Sequence, residues 1–369
     1  MADSRVEKLA RILVEHSARI GAGDRVAIET TTIAEPLVRA LVIQVLKSGG
    51  HPHLLIDLPD YDDILLTYAN EDQLDFVPTF QYLAYEQFES RIRINSSVNT
   101  RALSGADPIR QRRRQNTLSK ILQLQMKRGA EKKFRWVSTL YPTNALAMEA
   151  EMSLREYQDF VFRACHADED TIDPVEYWKG VEKQQEVIVN RIEGHDKVQV
   201  RGPNVDLELS IKGRTFRNAS GQHNMPDGEI YTGPVEDSAK GWVRFSYPAI
   251  SQGRAVEGIE LFFEQGRVIQ ATATKNQDFL NEMLDSDPGA RYLGEFAIGT
   301  NFQIDRFTGN ILFDEKIGGT FHMAVGAGYP ETGSKNKSAI HWDMICDLRQ
   351  DSEILVDGDV FYRNGEFVS

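Results

Sequence analysis

Lys197-Val-Gln-Val-Arg201 and Val205-Asp-Leu-Glu-Leu-Ser-Ile211 alternate apolar and polar residues without a break. That is the period of half-buried β-strands. Downstream, Trp242-Val-Arg-Phe-Ser-Tyr247 and the stretches 257–264 and 267–273 continue the pattern. Gln265-Gly266, Asp357-Gly358 and Asn364-Gly365 are tight-hairpin signals. One helical stretch, 276–284, interrupts the strands. Residues 195–369 therefore predict a mostly antiparallel, barrel-like β domain.

Upstream, the texture differs. Arg25-Val-Ala-Ile-Glu29 follows the turn Gly21-Ala-Gly-Asp24 and reads as a strand. Leu37, Leu41, Val42 and Val45 then form a helical stripe, which Gly49-Gly50 ends. His53-Leu-Leu-Ile-Asp57 is the next strand, a helix is expected from Asp62, and Phe134-Arg-Trp-Val-Ser-Thr139 is a further strand. Strand, helix, glycine and strand make a βαβ unit, so residues 1–194 predict an α/β domain with a mainly parallel sheet. The charged helical stretch 153–193, with Asp173-Pro174 as a cap and first-turn proline, reads as the connector. No G-x-G-x-x-G follows a strand and no Walker A sequence is present, so nucleotide binding is not supported.

Composition narrows the function. Of 369 residues, 41% are apolar and 26% charged, values of an ordinary globular chain with a core. No apolar run reaches the roughly 18 residues of a membrane span, and Met1-Ala-Asp-Ser-Arg-Val-Glu-Lys8 lacks the apolar segment of a secretory leader. With only two cysteines, Cys165 and Cys346, a disulfide framework is not expected and a reducing cytoplasm fits. The net charge of −13, from 55 acids against 42 bases, argues against nucleic acid as a partner. The basic stretch holding Arg110, Arg112, Arg113, Arg114, Lys127, Arg128, Lys132 and Lys133 reads as a solvated helix face.

The chemistry-bearing residues stand out in the β half. Glu229 opens a strand after the turn Pro226-Asp-Gly228. Glu295 sits among Leu293, Phe296, Ala297 and Ile298, where an unpaired carboxylate would be costly and a cation would remove the cost. Glu315 precedes Ile317-Gly-Gly-Thr320 and the strand-like Phe321-His-Met-Ala-Val325, which carries His322; Tyr329 follows beyond Gly326 and Gly328. His341 and Asp343 are two apart in Ile340-His-Trp-Asp-Met-Ile345, hence on one face of a strand. Each feature alone also suits a plain structural role. Together, four carboxylates and two imidazoles are the donor set of a two-metal hydrolytic centre, with ions about 3.5–4 Å apart. The absence of cysteine disfavours a structural zinc site.

Asn224-Met-Pro-Asp-Gly-Glu-Ile230, Gly294-Glu295, Phe321-His322, Tyr329 and His341-Trp-Asp343 resemble, in this order, the aminopeptidase T family of metallopeptidases. The resemblance implies two divalent ions in the C-terminal domain, with zinc, cobalt, manganese or magnesium all admissible. It places metal ligands at Glu229, Glu295, His322, His341 and Asp343, with Glu295 bridging, and an active-site tyrosine at Tyr329. Glu315 is the nearest counterpart of a further acidic ligand, at a longer spacing from His322 than the family pattern. It further implies an exopeptidase acting on unblocked N-termini and a homodimer enclosing its active sites.

The expected function is thus a cytoplasmic metalloaminopeptidase. Tyr329 is expected to donate to the developing oxyanion, and Glu229 or Glu315 to act as general base. Two other readings compete. Relatives of this fold include mononuclear iron dioxygenases that open hydroxypyridine rings, and His322, His341 and Asp343 would suit such a site; it has no need of both Glu229 and Glu295. The other is a peptide- or metal-binding protein without catalysis, against which Tyr329 leans.

Overall fold

The computed structural model describes residues 3–251 and 253–368. Its chain divides into two compact units. One runs up to Lys179 and includes Gly221–Pro226; the other comprises Gly180–Ser220 and the chain from Asp227 onward.

The first unit is built on a four-stranded parallel sheet. Its spatial order is His51–Asp57, Arg25–Thr31, Ser90–Asn95 and Arg135–Leu140. Helix Glu35–Lys47 makes the first crossover, and Gly49 leaves it at φ +78°, the left-handed geometry that glycine adopts freely. The strand Ser90–Asn95 escapes the sequence pattern although it is central. A central parallel strand is expected to be a continuous apolar run, whereas this one alternates Ile92 and Ile94 with Arg91 and Arg93. The arginines are accommodated by partners on their own face. Arg93 pairs with Glu29 at 3.1 Å, the Tyr85 hydroxyl donates to Glu29 at 3.0 Å, and Arg91 donates to the Tyr85 hydroxyl at 3.0 Å and to Ser138 at 2.9 Å.

The basic stretch belongs to helix Pro108–Ala130, and several of its side chains finish neighbouring elements. Arg110 donates to the Leu66 and Ala69 carbonyls at the end of helix Tyr61–Tyr68, and Arg114 to those of Leu74 and Phe76. The Leu66 and Leu74 carbonyls are orphan acceptors of helix ends, so the cluster serves the fold as well as solvation. The expected connector is two helices, Leu154–Ala164 and Pro174–Ile192; Asp173 caps the second by accepting from Val175 N at 3.1 Å.

The second unit holds an eight-stranded and a five-stranded sheet, antiparallel throughout, and a small two-stranded ribbon. The hairpins fall where the turn dipeptides stand. Gln265-Gly266, Asp357-Gly358 and Asn364-Gly365 all have positive φ at both residues, as the tight hairpin turn requires. Val198, Val200 and Leu207 of the larger sheet share one apolar core with Ile230, Phe296, Phe321 and Met344 of the smaller. Among the described residues no helix is long and apolar enough to cross a membrane.

Candidate metal centre

Three adjacent strands of the five-stranded sheet, Leu293–Gly299, Thr320–Gly326 and His341–Asp347, carry most of the site, and Glu229–Thr232 adds a fourth. In antiparallel pairs, residues directly opposite share a face. Glu295, Ala324 and Asp343 lie in one such row, and Tyr231, Ala297, His322 and Ile345 in the next. Glu229 opposite Gly299, and His341 opposite Gly326, flank these rows. Alanine or glycine thus stands between the polar residues and leaves space above the sheet. The residues in between, Ile230, Phe296, Ile298, Phe321, Met323, Trp342 and Met344, face the core on the other side. One period-two pattern therefore builds the core and the site together.

The polar side chains converge. Three groups have ligand atoms within 4.8 Å of one another: Glu229, Glu295 and His322; Glu295, His341 and Asp343; and Glu315, His322 and Asp343. All six carboxylates and imidazoles expected from the sequence are in these groups, and Glu295, His322 and Asp343 each belong to two of them. His322 Nε2 is 3.3 Å from Glu229 and 3.9 Å from Glu295. His341 Nε2 is 3.1 Å from Glu295 and 3.5 Å from Asp343. His341 Nδ1 lies 2.7 Å from the Ala327 carbonyl. A carbonyl only accepts, so Nδ1 carries a proton, and Nε2 is the nitrogen that faces the centre and can offer a lone pair once its own proton is lost. The Tyr329 hydroxyl is 3.5 Å from His341 Nε2, and its ring packs edge-on against Tyr231.

Charge balance indicates what this cluster could hold. Burial, with neighbouring acids adding to it, raises the Glu229 carboxyl well above its ordinary range, although Lys316 opposes the shift. Burial likewise pushes Glu315 up to about 7 against the pull of Lys316. His341 moves the other way: burial disfavours its charge, but Asp343 and Glu295 outweigh this and push it up to about 11. Acids held neutral and a histidine held cationic mark a pocket with too much negative charge. Glu229 Oε2, His322 Nδ1 and Asp343 Oδ1 are moreover buried without a hydrogen bond. Oxygen and imidazole donors with unsatisfied buried atoms fit divalent cations of the zinc, cobalt or manganese type.

Three supporting residues were not legible as such. Lys316, 1% exposed, places its ammonium 2.5 Å from Glu229, 2.6 Å from Glu315 and 3.6 Å from Asp227. Asp227 is itself buried in the turn before Glu229. Gln185, on helix Pro174–Ile192, donates to the Glu229 carbonyl at 2.6 Å and fixes the start of that strand. A lysine next to a glutamate reads as surface in sequence; its only signal is the apolar, glycine-rich run that follows it.

The sheet face thus carries a carboxylate-rich cluster with two imidazoles, whose donor atoms could hold a metal ion. The chain belongs to the thermophilic metalloprotease (M29) family, whose model matches residues 2–367. It is 26% identical to aminopeptidase T of Thermus thermophilus, covering 98% of this chain and 95% of that protein. It is 25% identical to aminopeptidase 2 of Geobacillus stearothermophilus, covering 99% and 98%. The solved structure of wild-type AmpT from Thermus thermophilus superposes with a TM-score of 0.84 at 23% identity, over 99% of both chains. 2,5-Dihydroxypyridine dioxygenase from Pseudomonas putida KT2440 has the same fold at a TM-score of 0.61 and 15% identity, over 99% of this chain and 97% of that one.

Proposed function

We propose that this chain is a metal-dependent aminopeptidase that releases N-terminal residues from peptides, with a dinuclear centre in residues 195–369. The observation that carries the reading is Glu295, placed on a central strand within reach of both His322 and His341. A carboxylate in that position suits a bridge between two ions, whereas one ion held by His322, His341 and Asp343 needs neither Glu229 nor Glu295. The ligands are Glu229, Glu295, His322, His341 and Asp343, with Glu315 beside them. Two ions held there, zinc, cobalt, manganese or magnesium, would supply an acidified water and a Lewis acid. The protein's own groups do the remainder. Tyr329, whose hydroxyl is kept protonated far above neutral pH by desolvation at the cluster and by Glu295 and Asp343 beside it, donates a hydrogen bond to the oxyanion that develops on the scissile carbonyl. Glu315, held near neutrality by burial and by Lys316, is suited to take and return a proton, a role that Glu229 shares as a candidate. The substrate's free α-amine binds a metal ion or a carboxylate, which is how such a site selects N-termini. The two antiparallel sheets form a barrel-like catalytic domain, residues 1–194 an accessory α/β domain, and the working unit is a cytoplasmic homodimer without nucleic-acid or membrane partners.

Recognition of a free amine makes a direct test. A peptide with a free N-terminus is expected to be cleaved, and the same peptide N-acetylated to be cleaved at less than about one hundredth of that rate, since loss of a buried charge pair costs about 3 kcal/mol or more. Product release followed by mass spectrometry decides this; equal cleavage of the two would rule out an aminopeptidase.

A further inference from the structure

Lys316 is a lysine buried within this cluster of carboxylates, and neither the family match nor the expected ligand set gives it a role. Its backbone is fixed before its side chain is considered. Lys316 N donates to the Phe313 carbonyl at the end of the short helix Ile311–Asp314, and Asn301 N donates to the Lys316 carbonyl at 3.0 Å. The Asn301 amide also donates to the Asp227 carbonyl at 2.9 Å, and Gly318 N to the Asn301 carbonyl. Gly299, just before this segment, has no room for a side chain: a Cβ there would come within 2.2 Å of the Ile317 carbonyl oxygen. The turn before Glu229, the end of the Glu295 strand and the Lys316 segment are therefore tied into one frame.

An ammonium has three donors and no acceptor. Lys316 directs two of them at Glu229 Oε1 and Glu315 Oε1, and its charge lies 3.6 Å from the Asp227 carboxylate. This leaves Glu229 Oε2, the oxygen 3.3 Å from His322 Nε2, as the one turned toward the His322–Glu295 group. Five carboxylates (Asp227, Glu229, Glu295, Glu315 and Asp343) less one ammonium leave the formal charge that two divalent ions neutralise.

The geometry points to Lys316 as a positioning residue: it holds Glu229 as a one-oxygen ligand for the ion on the Glu229–Glu295–His322 side and keeps Glu315 off that ion. The other ion, on the Glu295–His341–Asp343 side, does not depend on it. The inference rests on the two-ion reading above and adds an asymmetry to it. Groups that orient a ligand are worth about 10–100-fold in metal affinity, so the two ions are expected to respond unequally to loss of the ammonium.

The test titrates Co²⁺ into metal-free protein against a competing chelator, following the visible absorption of each bound ion. The wild type is expected to bind two Co²⁺. Lys316→Met, which keeps the length of the side chain without its charge, is expected to bind one of them about 10–100-fold more weakly and the other as before. Should Lys316→Met not fold, Lys316→Ala is prepared with propylammonium, which can occupy the vacated space; the affinity of the weaker ion then rises with amine concentration. A merely structural lysine would change stability and leave the ratio of the two affinities alone. A folded Lys316→Met with both affinities unchanged, or with the first tighter, overturns the inference while leaving two ions in the wild type. Failure of the amine to restore folded, Co²⁺-binding Lys316→Ala overturns it as well. A wild type that takes up fewer than two Co²⁺ removes the two-ion reading, and the inference with it.

Discussion

Glu295→Gln is expected to lower the metal content of the purified chain and to reduce peptide hydrolysis by more than about 100-fold, beyond what loss of a ligand-orienting group costs. The residue is 4% exposed, and its two oxygens reach His322 on one side and His341 on the other. Glutamine keeps the shape and removes the charge that both ligand groups share. Folding should survive, because Leu293, Phe296 and Ile298 still pack into the core on the opposite face of the strand. Metal analysis beside a thermal melt checks this. A variant with wild-type metal content and rate would remove Glu295 from the centre.

Exhaustive chelation is expected to abolish hydrolysis while leaving the chain folded, and added divalent metal to restore it. The cluster without ions holds its carboxylates with Lys316 and a cationic His341, and the apolar core lies on the other face of the sheet. At metal concentrations of about 1,000 times the dissociation constant, an ion adds about 4 kcal/mol to stability, so the melting temperature falls on chelation and recovers on reloading. His341 must lose its proton to present Nε2. Because Asp343 and Glu295 overcome burial and push it up to about 11, it is protonated in the metal-free chain at neutral pH. Reloading therefore weakens as the pH falls. Full activity in protein shown to be metal-free would contradict this.

What could be read from the sequence, and what could not, follows from how each residue announces itself. Gln265-Gly266 and Asp357-Gly358 announce hairpins because few other pairs tolerate positive φ at both positions. Glu295 and His322 stood out because a charged or imidazole group in an otherwise apolar strand demands a partner. The central strand Ser90–Asn95 did not stand out, since Arg91 and Arg93 disguise it as surface and their partners, Glu29 and Tyr85, come from elsewhere in the chain. Lys316 was hidden for the related reason that its burial depends on Asp227 and Glu229, 87 residues or more upstream. Gln185 lay in a charged helix, and nothing local tied it to the Glu229 carbonyl. Residues that conflict with their neighbours in sequence are visible there; residues whose conflict is resolved by distant partners are not.

The most direct test of the dinuclear aminopeptidase is to locate the ions by anomalous scattering in crystals of the cobalt- or zinc-loaded protein. The proposal predicts two ions per chain about 3.5–4 Å apart, with Glu295 between them, Glu229 and His322 on one side, and His341 and Asp343 on the other. A single ion held by His322, His341 and Asp343, with Glu295 uncoordinated, would contradict it and favour the iron site of a ring-cleaving dioxygenase.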